Sequence, residues 1–135
     1  MDRLSPEDRS RNMARIRSKD TRPEMVVRSL LHGMGYRYRL HSKGLPGRPD
    51  IVFPSARKAV FVHGCFWHQH TGCAEGRVPG TRQQYWIPKL QKNCERDRSN
   101  RSLLRKMGWR SLVVWECELK NETKLTQKLA RFLGD

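Results

Sequence analysis

Three short apolar runs separated by polar sequence set the fold class. Asp50-Ile51-Val52-Phe53 reads as a short buried strand. Lys58 to His63 reads as a second, built on Ala59-Val60-Phe61-Val62, and Trp109 to Trp115 as a third around Leu112-Val113-Val114. Runs that are apolar at successive positions need cover on both faces, which helices packed on a sheet provide. Thr21-Arg22-Pro23-Glu24 is a capping-box start. Met25, Val26, Leu30, Leu31 and Met34 follow it at helical spacing, and Gly35 is a stop. Tyr36 to Leu40 alternates like a strand, and Leu45-Pro46-Gly47-Arg48-Pro49 is a turn. Thr81 to Met107 is long and polar, with Leu90, Cys94, Arg101, Leu104 and Met107 tracing its inner face. Pro88 is expected to kink or break that helix, or to start a second one. Leu125, Leu129, Phe132 and Leu133 mark a closing helix. The order predicts an α/β fold, a small mixed β-sheet flanked by helices.

At 135 residues the chain has the size of one domain, taken here as residues 1–135. Residues 1–19 read as a basic, DNA-contacting N-terminal arm. Ser5-Pro6 reads as a helix start there, but the segment to Arg17 offers only Met13, Ala14 and Ile16 for burial, so it suits ordering on a partner. Lys and Arg number 28 against 13 Asp and Glu, a net charge of +15, which points to a polyanion and first to nucleic acid. No apolar run is long enough to span a membrane and no secretory leader is evident, so the expected location is cytoplasmic. Disulfides are rare there, so the four cysteines read as metal ligands or core thiols.

The densest chemistry is Cys65-Phe66-Trp67-His68-Gln69-His70-Thr71-Gly72-Cys73, with Cys117 directly after the third strand. These are zinc-type ligands, and a local cluster plus one distant ligand would tie the loop to the sheet end. With three sulfurs, either His68 or His70 completes the shell, and spacing does not say which. Cys94 lies on a predicted apolar helix face and reads as a core thiol.

Asp50 opens an apolar strand, where a carboxylate needs a cation or a donor; it either holds a metal such as magnesium or hydrogen-bonds its own turn. Glu24 can serve the same site or be only the capping-box glutamate. His63 ends the second strand and can move a proton or be a satisfied structural histidine. Asp97, in Glu95-Arg96-Asp97-Arg98, can orient a histidine or belong to a solvated face. Phe66, Trp67 and Trp86 stand among polar residues, as wedges for base pairs or as a cover on the zinc site.

Together the motifs resemble the very short patch repair endonucleases. The shared strings include Arg11-Asn12-Met13, Leu45-Pro46-Gly47-Arg48-Pro49-Asp50, Phe61-Val62-His63-Gly64-Cys65-Phe66-Trp67-His68, Lys92-Asn93, Glu95-Arg96-Asp97-Arg98 and Val114-Trp115-Glu116-Cys117. The resemblance implies a restriction-endonuclease-like core with a structural zinc. It also implies a magnesium-dependent DNA endonuclease that nicks on the 5′ side of the T in a T:G mispair left by deamination of 5-methylcytosine. Carried over by position, Asp50 and the main-chain oxygen of Val62 would hold Mg2+. Glu24, His63, His68 and Asp97 would complete the catalytic group, with His68, oriented by Asp97, activating water and His63 supporting the phosphate or leaving group. Zn2+ would fall to Cys65, His70, Cys73 and Cys117. Phe66, Trp67 and Trp86 would intercalate, Met13 would approach from the other groove, and Lys89 and Asn93 would contact DNA.

The partners so implied are double-stranded DNA with a T:G mismatch and, functionally, a cytosine-5 DNA methyltransferase. The enzyme would act as a monomer in the bacterial cytoplasm, at the nucleoid when on DNA. Two other readings compete: a non-catalytic, zinc-stabilised DNA-binding module, and a nuclease of the same fold with a different DNA target. The module leaves unexplained why Asp50, His63 and His68 gather at one sheet edge.

Overall fold

The computed structural model describes residues 21–134, and its first helix, α1 (Arg22–Gly33), starts where the capping signal predicts. Thr21 Oγ1 accepts the Glu24 N–H at 3.4 Å. At the other end Gly35 takes φ +87°, which returns the Tyr36 N–H to the Leu31 carbonyl at 3.1 Å and closes the helix. The basic arm and its predicted helix lie outside the described residues.

Four strands follow: β1 (Arg39–Leu40), β2 (Ile51–Phe53), β3 (Lys58–His63) and β4 (Arg110–Trp115). They lie in the order β1-β2-β3-β4, antiparallel except for the parallel pair β3 and β4. A parallel pair needs a long crossover, supplied here by the cysteine-rich loop and α2 (Gln83–Lys106). The chain closes with α3 (Glu122–Leu133). The mixed sheet and flanking helices bear out the predicted α/β class.

One face of the sheet carries the main core. Val27 and Leu31 of α1 and Leu125, Leu129 and Phe132 of α3 pack on Ile51, Phe53, Val60 and Val114. The alternate residues Val52, Ala59 and Phe61 are buried as well, as are Leu90 and Leu104 of α2, which lies against β4. Lys58 is also buried; its ammonium donates to the Phe132 carbonyl at 2.8 Å, a cation at the C-terminal end of α3.

Several expectations need correction. Tyr36 to Leu40 yields only the two-residue β1. Burial on both faces holds for β2 and β3 but not for β4, where Val114 alone is buried, because β4 is an edge strand. Pro88 neither breaks α2 nor starts another helix. It sits in the second turn, where its missing N–H costs only the bond to the Gln84 carbonyl. Met25 is 49% exposed, because the buried stripe of α1 runs Glu24, Val27, Leu31 and Met25 falls one step off it. Met107 (48%) and Arg101 are exposed too, leaving Leu90 and Leu104 as the buried face of α2.

Gly47 seats the turn before β2 against α2. It holds φ +78°, and a Cβ there would stand 3.0 Å from Asn100 Cβ and 3.1 Å from the Phe61 ring. Gly47→Ala is therefore expected to cost about 1–3 kcal/mol in urea unfolding, from strain and overpacking together.

Candidate active site and metal-binding cluster

Because β3 and β4 run parallel with His63 paired to Trp115, the residues that leave both strands emerge side by side. That register brings Cys65 and Cys117 to one place. The loop after β3 is wound tightly: the His70 N–H donates to the Cys65 carbonyl at 2.9 Å and the Cys73 N–H to the His70 carbonyl at 3.3 Å. Ligand atoms of Cys65, His70, Cys73 and Cys117 all lie within 4.8 Å of one another. His70 Nδ1 stands 3.8 Å from Cys65 Sγ and 3.3 Å from Cys117 Sγ. Ligands at about 2.3 Å around a tetrahedral ion are about 3.8 Å apart, so the set fits such an ion. Burial pushes the Cys65 thiol up to about 12 and raises that of Cys117, so cation binding would have to release their protons.

The two histidines left open by spacing are separated by Gln69, which sits in the left-handed region at φ +52° and turns the chain between them. His70 joins the cysteines. His68 instead places Nδ1 2.5 Å from Asp97 Oδ2 on α2. Its ring stacks on His63 with centroids 3.8 Å apart and planes 8° from parallel. Burial, with the neighbouring His68, lowers His63 to about 3, so its ring is neutral near physiological pH. Cys94 stays outside the cysteine cluster; its half-buried thiol donates to the His68 carbonyl at 3.5 Å.

Across the cleft stand two carboxylates. The ladder of β2 starts at Ile51, so the Val62 N–H of β3 has passed the end of that pairing. Asp50 Oδ2 accepts it at 2.7 Å. Glu24, almost fully buried, gives only its main-chain N–H to the Thr21 cap and turns its carboxylate inward from α1. Its carboxylate receives the Arg28 guanidinium and lies 3.2 Å from His41 Nε2. Burial raises Asp50 to about 7, against its hydrogen bond from Val62, and the nearby Glu24 charge adds to the rise. Glu24, His41 and Asp50 offer ligand atoms within 4.8 Å of one another, a donor set that a cation would relieve.

Glu24, Asp50, Val62, His63, His68 and Asp97 all line one cleft of about 740 Å3. Lys43, Arg48, Arg96 and Arg101 line it too and make it suited to a phosphate backbone. Phe66 and Trp67 stand at the same cleft, and Trp86 of α2 completes their group at 5.3 Å from Phe66 and 5.8 Å from Trp67. Asn93 Nδ2 donates to the Trp67 carbonyl at 3.2 Å, and the Lys89 ammonium lies 5.8 Å from the Trp67 ring centre. Met13 lies outside the described residues.

Sequence reasoning did not single out Arg28, His41 or Tyr85, which packs on Trp86 at 4.9 Å. The Glu24-to-Arg28 spacing of four residues on a helix was a usable signal. His41 had none: it reaches the site because its N–H pairs with the Asp50 carbonyl at 3.2 Å, prolonging the β1–β2 ladder.

The sequence profile of the family described as DNA mismatch endonuclease Vsr matches residues 1–75. The chain is similar to Type II nicking enzyme V.XorIIP of Xanthomonas oryzae pv. oryzae, 55% identical over 132 residues that cover 98% of this chain and 96% of that protein. It is 44% identical over 127 residues to Type II nicking enzyme V.NmeAIP of Neisseria meningitidis, covering 94% and 90%. DNA mismatch endonuclease Vsr of Escherichia coli is 48% identical over 120 residues, 89% of this chain and 76% of that protein. On the profile match and these near full-length relatives, the chain belongs to the Vsr family of DNA mismatch endonucleases.

Proposed function

We propose that the protein is a strand-specific endonuclease that nicks DNA 5′ to the T of a T:G mispair arising from 5-methylcytosine deamination, and so opens a very short repair tract. One juxtaposition carries the reading: the Glu24–Asp50 carboxylates and the His63–His68 pair line the same basic cleft, with aromatic rings at its wall. The names of the relatives support a DNA endonuclease. The motif resemblance supplies the mispair, the restriction-endonuclease-like core and the link to a cytosine-5 methyltransferase; the enzyme acts as a monomer.

Asp50 and the Val62 main-chain oxygen would hold magnesium, which would supply charge stabilisation on the phosphate. His68 donates its Nδ1–H to Asp97, which fixes the ring, so that Nε2 can accept a proton from the attacking water. His63, neutral, offers an N–H to the phosphate or leaving oxygen. Glu24 assists beside Asp50. Phe66, Trp67 and Trp86 enter the mispaired step, which costs less to unstack than a matched one. Met13 meets the other groove, and Lys89 and Asn93 support the wedge. Cys65, His70, Cys73 and Cys117 would hold zinc, which would tie the loop to the end of β4.

Asp97→Asn is expected to lower the single-turnover rate by about 10–100-fold with duplex affinity unchanged. A pH dependence also follows. A cation binds the Asp50 carboxylate and not the acid, so protons compete below a pKa of about 7. The magnesium concentration giving half-maximal rate is expected to rise roughly tenfold per pH unit below that value. A half-maximal concentration that stays constant as pH falls would place the metal elsewhere.

The test is nick mapping on end-labelled duplexes carrying T:G in several flanking sequences, beside matched and branched duplexes. A single nick 5′ to T, with matched DNA intact, is expected. Equal cutting of matched or branched DNA would give the same fold another target. Tight binding with no nick on any divalent metal would leave a DNA-binding module.

A further inference from the structure

Trp115 joins the metal-binding cluster to the histidine pair. It ends β4 in register with His63. Its ring stacks on His70, with centroids 4.2 Å apart and planes 11° from parallel. It meets His63 edge-on at 5.3 Å and 74°. His63 stacks in turn on His68, so the rings of His70, Trp115, His63 and His68 form a continuous row. The main chain of Trp115 is itself anchored: its backbone N–H donates to Glu118 Oε1 at 2.9 Å, and Lys128 grips Glu118 at 2.7 Å while donating to the Val113 carbonyl at 2.9 Å. His63 Nδ1, by contrast, is buried with no hydrogen-bond partner among the described residues. Hydrogen bonding on that side does not set the angle of the ring; packing does, and Trp115 and Phe61 (5.8 Å) are the side chains behind it.

We propose that Trp115 is a positioning residue, which transmits the geometry fixed at the Cys65–His70–Cys73–Cys117 cluster to His63 and through it to His68. The inference rests on the functional reading above and adds to it a coupling between the zinc cluster and the reacting histidines.

The test uses the zinc-loaded full chain with Trp115→Phe and Trp115→Leu. Four quantities are read: zinc content, T:G duplex affinity, single-turnover nicking at saturating duplex, and the NMR resonance of the His63 ring at fixed pH. Zinc content and affinity are expected to hold. The rate falls about 10–100-fold in Trp115→Leu and less in Trp115→Phe, and the His63 resonance moves in both. In a His63→Ala background Trp115→Leu costs nothing further, because the two changes act through one group. An unmoved His63 resonance with zinc bound, loss of zinc from both variants, or additive rate losses would each overturn the proposal. If the wild-type chain nicks no duplex, the functional reading fails, yet the His63 resonance still decides whether Trp115 sets that ring.

Discussion

Asp50→Asn is expected to reduce nicking of a T:G duplex by about 1000-fold or more while leaving the fold and DNA binding intact. Asn has the same shape and keeps an oxygen for the Val62 N–H, now bonded at 2.7 Å. What it loses is the negative charge that would hold a cation. Binding should be equal or tighter, since a charge facing phosphate has gone. Stability should not fall. A carboxyl raised to about 7 in the folded state binds its proton more tightly folded than unfolded. It therefore weakens the fold as pH climbs from the ordinary carboxylate range toward 7 and stays costly above it. Asn removes that burden, so the melting temperature at slightly alkaline pH should hold or rise, the usual trade between function and stability. Loss of rate together with loss of melting temperature would instead make Asp50 a structural turn residue.

The second large effect concerns Cys117. It lies 47 residues beyond His70 in the chain, yet its Sγ is 3.3 Å from the ring. Metal bound there would cross-link the end of β4 to the loop that carries His68. Cys117→Ala should lower zinc content well below one per chain. It should cost roughly 3 kcal/mol or more, a fall in melting temperature of about 10 °C. Nicking should fall with it, because the turn from His68 to Cys73 loses its tether. Cys94→Ala is the control: half-buried and outside the cluster, it should retain zinc and cost about 1 kcal/mol or less. Full zinc content in Cys117→Ala would remove the cross-link from the account.

The sequence made the sheet readable because burial wrote it plainly. Ile51 to Phe53 and Ala59 to Phe61 are buried at every position, and that is what an apolar run on successive residues demands. Cap chemistry made α1 readable at both ends. Edge position is a property of sheet order, so the exposure of β4 could not be read from Leu112-Val113-Val114. The site was legible as a set of residues and less so as a geometry. Asp97 and His68 are 29 positions apart, and their contact depends on the crossover helix lying over the loop. The choice of His70 over His68 for the cysteine cluster turns on the left-handed backbone of Gln69, a residue type with no special preference for it. Glu24 had a sufficient local reading as a capping-box glutamate, which hid the turn of its carboxylate toward Asp50.

The most direct test of the central claim is the single-turnover rate of nicking on a T:G duplex as magnesium is raised from zero, at fixed zinc content and with duplex binding followed in parallel. Strong chelators should be avoided, since they would strip the cysteine cluster as well. Without magnesium the duplex should be bound and not nicked, and the rate should saturate with magnesium in the wild-type chain but not in Asp50→Asn. A nick formed at full rate without added divalent metal, or an Asp50→Asn rate equal to wild type, would contradict the central claim.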